Sequence, residues 1–168
     1  MILSRSSLGL PTGALVEGLA LRLAEAANTQ AKFPNARTVF RTLTIFMGAA
    51  SKKPDGMVRN FDNNYVAGTK TQVLRTVWLL QPGDFRTGLQ NWKWIRFSAP
   101  YKYGGGDLVV EIQHTGPTTP IRGGIPFDAM PSSNASAAIY APDNTAATAL
   151  PSNANRPVLA MLLPYKMQ

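Results

Sequence analysis

Apolar and polar side chains alternate along several short segments of the chain, with the two-residue period of a half-buried β-strand. In residues 16–23 the leucines at every second position share one side of such a strand, and an alanine and an arginine lie on the other side. We predict a strand here that ends near Ala24. Residues 21–27 also have the composition of a short helix, but Gly18 and the alternation favour the strand.

Further segments with the same period follow along the chain. We predict strands in residues 39–47, 71–80, 92–98, 107–114, 135–140 and 156–165. Both faces of the first of these are partly apolar, which predicts a central position in its sheet. In the segment 92–98 we expect the set Lys93, Ile95 and Phe97 to be buried.

Turn-forming residues separate the predicted strands. Residues 48–68 are a long polar stretch, and we expect Phe61 and Tyr65 to fold it back onto the core. Residues 82–84 (Pro-Gly-Asp) and residues 100–106 (PYKYGGG) are typical of turns. About seven or eight short strands with turns between them predict an all-β fold, which is a sandwich or a barrel of antiparallel strands.

Length and composition indicate a single domain over residues 1–168 with one hydrophobic core. Because 45% of the residues are hydrophobic and only 15% are charged, the chain is too apolar for a disordered protein and too poor in charge for a coiled coil. It contains no cysteine, so disulfides, thiolate chemistry and cysteine-ligated metal sites are excluded.

The net charge of +8 changes the range of partners to consider. Either an anionic partner such as nucleic acid, an acidic polysaccharide or a lipid headgroup explains it, or the positive charge is spread over the surface without a ligand. The basic residues are scattered, and Lys52 and Lys53 are the only adjacent pair. This distribution favours a diffuse surface charge, so nucleic-acid binding is not predicted.

Neither a membrane span nor a signal peptide is predicted in the given chain. No apolar run reaches the ~18 residues that a transmembrane helix needs. Residues 1–10 lack the basic segment and apolar core that mark an export signal. We expect either a protein that is not exported by that route or a mature form with an added methionine.

The chain offers few residues for catalysis. His114 is its only histidine and stands at a predicted strand end, which favours a surface or turn position. Glycoside hydrolysis needs two facing carboxylates, but only Glu111 lies mid-strand, and Asp107 lies at the preceding turn. We therefore expect a protein that is not an enzyme.

Two loops carry oxygen ligands suitable for calcium, Asp55-Gly56 and Asp62-Asn63-Asn64. The same residues are common turn formers, and we favour that interpretation. No cofactor is predicted.

Aromatic residues suggest one binding surface. Trp92, Trp94 and Arg96 share a strand face, and Tyr101 and Tyr103 follow soon after. If these side chains are exposed, they form a candidate stacking surface for a carbohydrate or for single-stranded nucleic acid. The alternative, which we favour, is that the tryptophans pack between two sheets.

A run of short motifs resembles the jelly-roll sandwich domains of secreted bacterial surface proteins, both those of the cleaved-adhesin type and those that precede sorting tails. The motifs lie in residues 18–23, 43–48, 61–64, 92–97, 100–112 and 156–159, and PYKYGGGDLVVEI is the most specific. The resemblance implies a two-sheet jelly-roll β-sandwich with a surface-exposed, non-catalytic role. We expect neither an export signal nor a sorting tail in this chain, which departs from that family in both respects. A virion decoration protein on the same fold would show this pattern.

We therefore expect a non-catalytic structural module, a subunit or decoration protein of an extracellular, cell-surface or virion assembly. Its partners would be other assembly proteins or further copies of itself. The alternative is a carbohydrate-binding or adhesive domain of a secreted bacterial protein, which would bind glycans.

Overall fold

The protein is known from a computed structural model, which describes part of the chain. The described residues are 1–23, 32–86, 91–118, 127, 129–130, 136–138, 158–159 and 161–167. The helix considered for residues 21–27 and much of the strands predicted in 135–140 and 156–165 therefore lie outside the described residues.

Short strands make up most of the described chain. The strands are β1 (Ile2–Leu3), β2 (Leu15–Leu21), β3 (Lys32–Phe33), β4 (Thr38–Ala49), β5 (Thr71–Leu80), β6 (Phe85–Arg86), β7 (Lys93–Lys102), β8 (Leu108–His114), β9 (Ala129–Met130), β10 (Ser136–Ala137), β11 (Val158–Leu159) and β12 (Tyr165–Lys166). The helical turns are α1 (Arg5–Leu8), η1 (Pro54–Gly56) and η2 (Asp62–Asn64).

Eight of these strands form two antiparallel sheets. The five-stranded sheet has the order β10-β1-β8-β4-β5, and the three-stranded sheet has the order β12-β2-β7. The chain passes repeatedly from one sheet to the other, because β2, β7 and β12 alternate in sequence with strands of the larger sheet. The predicted all-β, antiparallel two-sheet sandwich is confirmed.

The core lies between the sheets and is built by alternation. Leu19 and Leu21 of β2, Ile45 of β4 and both Leu108 and Val110 of β8 are each at most 4% exposed and belong to one apolar cluster. Burying each such side chain contributes about 1.5–3 kcal/mol, which is the main force that holds the two sheets together.

The predicted strands agree closely with the structure in the middle of the chain. Strand β5 has the predicted bounds, and β4 pairs with both β5 and β8, so its predicted central position is confirmed. The turn predicted at residues 100–106 starts too early, because β7 continues through Pro100 to Lys102. A proline is tolerated there because the β2–β7 pairing shifts at this point, with Val16 opposite Tyr101.

The long connection between β4 and β5 folds back over the outer face of the five-stranded sheet. We call residues 50–70 the covering segment. Its Tyr65 is 6% exposed and packs with Ile2 and Val109, which point away from the main core. A Cβ atom on Gly48 would lie 2.6 Å from the Tyr65 ring, so the glycine permits this close contact. Tyr65 therefore holds the loop as predicted, but on the outer face of the sheet.

Polar contacts tie the covering segment to the same face. The Tyr65 hydroxyl donates to a Glu111 carboxylate oxygen over 3.1 Å, and the Lys70 ammonium lies 3.0 Å from Glu111 and 2.7 Å from Asp62. Burial and the nearby Glu111 raise the pKa of Tyr65 above its ordinary range. Burial alone would lower the pKa of Lys70, but its hydrogen bonds to Asp62 and Glu111 outweigh that effect and raise it.

Candidate functional site

Strand β7 places its side chains alternately on the two faces of the three-stranded sheet. Ile95 is 6% exposed and Phe97 packs against the core, whereas Trp94 is 50% exposed and Arg96 is exposed. The predicted burial of Ile95 is thus confirmed. Trp94 and Arg96 therefore lie on the outer face of the sheet. The interpretation that Trp92 and Trp94 pack between the two sheets is wrong for Trp94.

An open groove of about 450 Å³ runs beside Trp94 and Arg96 on this outer face. Its lining consists of Glu17, Gly18, Trp94, Ile95, Arg96, Phe97 and Pro164. Cavities of roughly 300–1,000 Å³ with an aromatic wall and a few polar groups are typical of small-ligand sites.

The floor of the groove depends on Gly18. A Cβ atom at this position would lie 2.6 Å from the Ile95 carbonyl oxygen and 3.3 Å from the Arg96 Cα atom. Only a residue without a side chain therefore lets β2 approach β7 this closely. The next outward residue, Ala20, is opposite Trp94 on one side and Leu162 on the other, so small side chains continue along the middle strand.

The charges around the groove are mixed. The Glu17 carboxylate forms an ion pair with the Lys166 ammonium, and both side chains are about half exposed. Among the described residues, Arg96 has no carboxylate partner. The guanidinium of Arg96 therefore carries the unbalanced charge of the groove, and a planar cation of this kind pairs well with carboxylates.

The other three candidate stacking residues lie elsewhere. Trp92 is half-buried under Arg22, whose guanidinium carbon lies 4.6 Å from the indole centroid. Tyr101 packs against the main core, and Tyr103 is 2% exposed with its hydroxyl donating to the Gly106 carbonyl. The structure thus brings Trp94 and Arg96 together at the groove and places the two tyrosines on the opposite side of the sheet.

The residues considered for catalysis do not meet at one place. Glu111 is engaged by Tyr65 and Lys70, and Asp107 accepts a hydrogen bond from the Arg5 amide over 2.8 Å. His114 ends β8, where its Nδ1 accepts a hydrogen bond from the Gly116 amide and burial lowers its pKa. Within the described residues, no three His, Asp or Glu side chains are grouped closely enough to hold a metal ion.

The two loops considered for calcium are held by internal contacts. Asn64 is 1% exposed, and its amide group exchanges hydrogen bonds with the backbone of Val58 and donates to the Asn60 carbonyl. Asp62 pairs with Lys70. The turn-forming role favoured from the sequence therefore accounts for these side chains, and Asp55 lies exposed in η1.

Two further findings concern surfaces. Lys52 and Lys53 are exposed at the start of the covering segment, which packs on the five-stranded sheet and not on the sheet that carries the groove. In the part of the chain that the structure describes, no helix has both the length and the apolar character to cross a membrane.

Sequence reasoning missed Glu17, Gly18 and Pro164 as groove residues. The sequence signal for Gly18 was weak, because a glycine within an alternating strand is compatible with a bulge, a close backbone approach or simple loss of strand propensity. Pro164 joins the groove through the pairing of the C-terminal strand with β2, where the Glu17 amide donates to the Pro164 carbonyl over 2.9 Å. Such long-range pairing has no local sequence signature.

Comparison of the chain with protein-family models, with curated proteins and with solved structures finds no match.

Proposed function

We propose that the protein is a non-catalytic structural module of an extracellular or virion surface and that it assembles with further copies of itself. The observation that carries this proposal is the outward face of β5, the last strand of the five-stranded sheet. Val77 and Leu79 lie two residues apart on this face and are 62% and 39% exposed. The extracellular or virion location is supported by the resemblance of residues 100–112 to surface jelly-roll domains.

Two exposed apolar side chains on one strand favour a contact between identical copies. A two-fold axis brings the same patch of each copy together, so each Val77 and Leu79 finds an apolar neighbour without any other protein. Such a contact removes from water the apolar surface that soluble proteins usually keep small. Arg75 lies next to the patch on the same face and gives it a polar rim.

Sedimentation velocity over a range of concentrations tests this proposal. The wild-type chain is expected to self-associate, and the double variant Val77→Lys/Leu79→Lys is expected to remain monomeric. Val66→Lys is the matched control, because Val66 is also exposed, at 42%, but lies on the covering segment. A wild-type chain that stays monomeric at the highest attainable concentration would contradict self-assembly.

A second candidate function is the binding of a glycan, in an adhesive or carbohydrate-binding role. The specific observation in its favour is the groove, which combines the half-exposed indole of Trp94 with the charged groups of Arg96 and Glu17. Sugars have apolar C–H faces and polar edges, so they suit a site with an aromatic wall and polar groups beside it. A glycan array probed with wild type and Trp94→Ala tests this candidate, and silence across neutral and acidic sugars would remove it.

A further inference from the structure

We infer that the groove beside Trp94 binds an acidic glycan, with a sugar ring stacked on the indole of Trp94 and a ring carboxylate paired with the guanidinium of Arg96. The inference rests on the second candidate function and narrows it to one class of ligand. It is argued from the shape of the groove, its aromatic wall and its charges.

The shape of the groove favours a flat ring. Gly18 contributes no side chain to the lining, so the surface between β2 and β7 is recessed beside Trp94. Trp94 is half exposed although it is among the largest apolar side chains of the chain. A ring that covers the indole face removes this apolar area from water and gains the dispersion contacts that an aromatic surface offers.

The charges of the groove favour a carboxylate on that ring. Glu17 is paired with Lys166, whereas Arg96 forms no ion pair with a described carboxylate. A guanidinium donates two parallel hydrogen bonds to a carboxylate, a geometry that a sugar hydroxyl cannot match in strength. The site should therefore prefer a uronic acid ring over its neutral counterpart.

Glu17 also separates an acidic glycan from a nucleic acid. A carboxylate accepts hydrogen bonds from sugar hydroxyls, which an oligosaccharide offers on every ring. A DNA strand has no free hydroxyl along its backbone and therefore cannot use this acceptor. The mixture of Arg96 and Glu17 within one lining thus suits a ligand that carries both hydroxyls and scattered carboxylates.

Isothermal titration calorimetry with two acidic probes tests the inference. The probes are tetragalacturonate and a hyaluronan tetrasaccharide, and the methyl-esterified form of each serves as its neutral match. At least one acidic probe is expected to bind, and its methyl ester is expected to bind about tenfold more weakly because the charged partner of Arg96 is lost.

Variants assign that binding to the groove. Trp94→Ala is expected to lower the affinity for the acidic probe and for its ester alike by about tenfold or more. Trp94→Phe is expected to restore part of that affinity. Arg96→Gln is expected to lower the affinity for the acidic probe and to leave the affinity for its ester unchanged. Arg41→Gln is the matched control, since it removes an exposed arginine from the other sheet, and it should leave the affinity unchanged.

The outcomes separate this inference from the function on which it rests. Equal affinity for acid and ester, or an Arg96→Gln variant with unchanged affinity, overturns the preference for acidic sugars and leaves glycan binding in place. Failure of all four sugars to bind overturns the inference, and glycan binding itself falls only if the glycan array is also silent. An equal loss in Arg41→Gln shows that diffuse charge causes the binding. Oligothymidylate that binds in a Trp94-dependent manner assigns the groove to nucleic acid. Either of these results overturns the inference.

Discussion

The outer faces of the two sheets are built by the same alternation of residues, yet one is covered and the other is open. On the five-stranded sheet, the covering segment places Tyr65 against Val109 and ties Lys70 to Glu111. On the three-stranded sheet, Trp94 stays half exposed beside an open groove. Tyr65 is thus buried against one outer face, whereas Trp94 stays half exposed on the other.

The difference teaches which outward residues serve stability and which are available for binding. The Tyr65 ring is buried and its hydroxyl donates a hydrogen bond to Glu111, so this side chain stabilises the fold and is not available to a ligand. Trp94 has neither the burial nor a described hydrogen-bond partner that would explain a tryptophan at that position. A large aromatic side chain that stays half exposed in the lining of a groove is a candidate for ligand binding.

Removal of the Tyr65 ring should have the largest effect on stability. We expect Tyr65→Ala to lower the free energy of unfolding by about 3–5 kcal/mol, because it leaves a cavity under the covering segment. Urea-induced unfolding followed by fluorescence measures this loss. Tyr65→Phe is the matched control, which keeps the packing and loses about 1 kcal/mol with the hydrogen bond to Glu111. A loss below about 1 kcal/mol for Tyr65→Ala would mean that the segment does not stabilise the sheet.

A side chain at the groove floor should have the next largest effect. We expect Gly18→Ala to cost about 1–3 kcal/mol, because its new Cβ atom meets the Ile95 carbonyl oxygen and the two strands must move apart. The same urea measurement applies. Gly56→Ala serves as control, since a Cβ atom at Gly56 has no heavy atom within 4 Å. Equal stability of the two variants would show that β2 and β7 are not held this closely.

Acidification should act in part through His114, at the end of β8. His114 is the only histidine, and burial lowers its pKa below the ordinary 6.5. The unfolded chain therefore binds more protons than the folded one just below pH 6.5, so stability falls as the pH falls through that window. Urea midpoints at about pH 7.5 and 5.5 measure the loss.

A variant isolates the contribution of that histidine. His114→Asn keeps an oxygen that can accept the hydrogen bond from the Gly116 amide but does not titrate. The acid-induced loss should be smaller in this variant than in the wild type, while the cost of Tyr65→Ala should be the same at both pH values. An unchanged acid-induced loss in His114→Asn would assign it to other groups.

Removal of the exposed tryptophan should have the smallest effect on stability. We expect Trp94→Ala to lower the free energy of unfolding by about 1 kcal/mol, because half of the side chain is already in water and its loss opens no enclosed cavity. Compared with Tyr65→Ala, this variant is the sharpest test of the difference between the two faces. A loss of several kcal/mol would show that Trp94 is a structural residue.

Much of the fold could be predicted from local pattern. The bounds of β5, the central position of β4 and the inward direction of Leu108 and Val110 follow from alternation and composition, which depend on neighbouring residues alone. The tie between Tyr65 and the sheet was also expected, since an aromatic residue in a long polar loop usually finds apolar surface. The extension of β7 beyond Pro100 was missed because its pairing with β2 is irregular there.

Little of the groove could be predicted in the same way. Alternation places Trp94 and Arg96 on one face of the strand and Ile95 on the other. It does not indicate which of the two faces is packed against the other sheet. The approach of Gly18 to Ile95 and the position of Pro164 depend on pairing between distant parts of the chain. These contacts come from the assembled sheet.

The sequence by itself determined the positions of the main strands, the all-β class of fold and the pairs of residues that share a face, because each of these follows from the two-residue period of an extended backbone. The tertiary structure decided which outer face is covered by residues 50–70 and which is left open around Trp94. The physical reason is that a face is covered only when another segment of the chain packs on it. Contacts between residues far apart in the sequence decide this, and local alternation does not specify them.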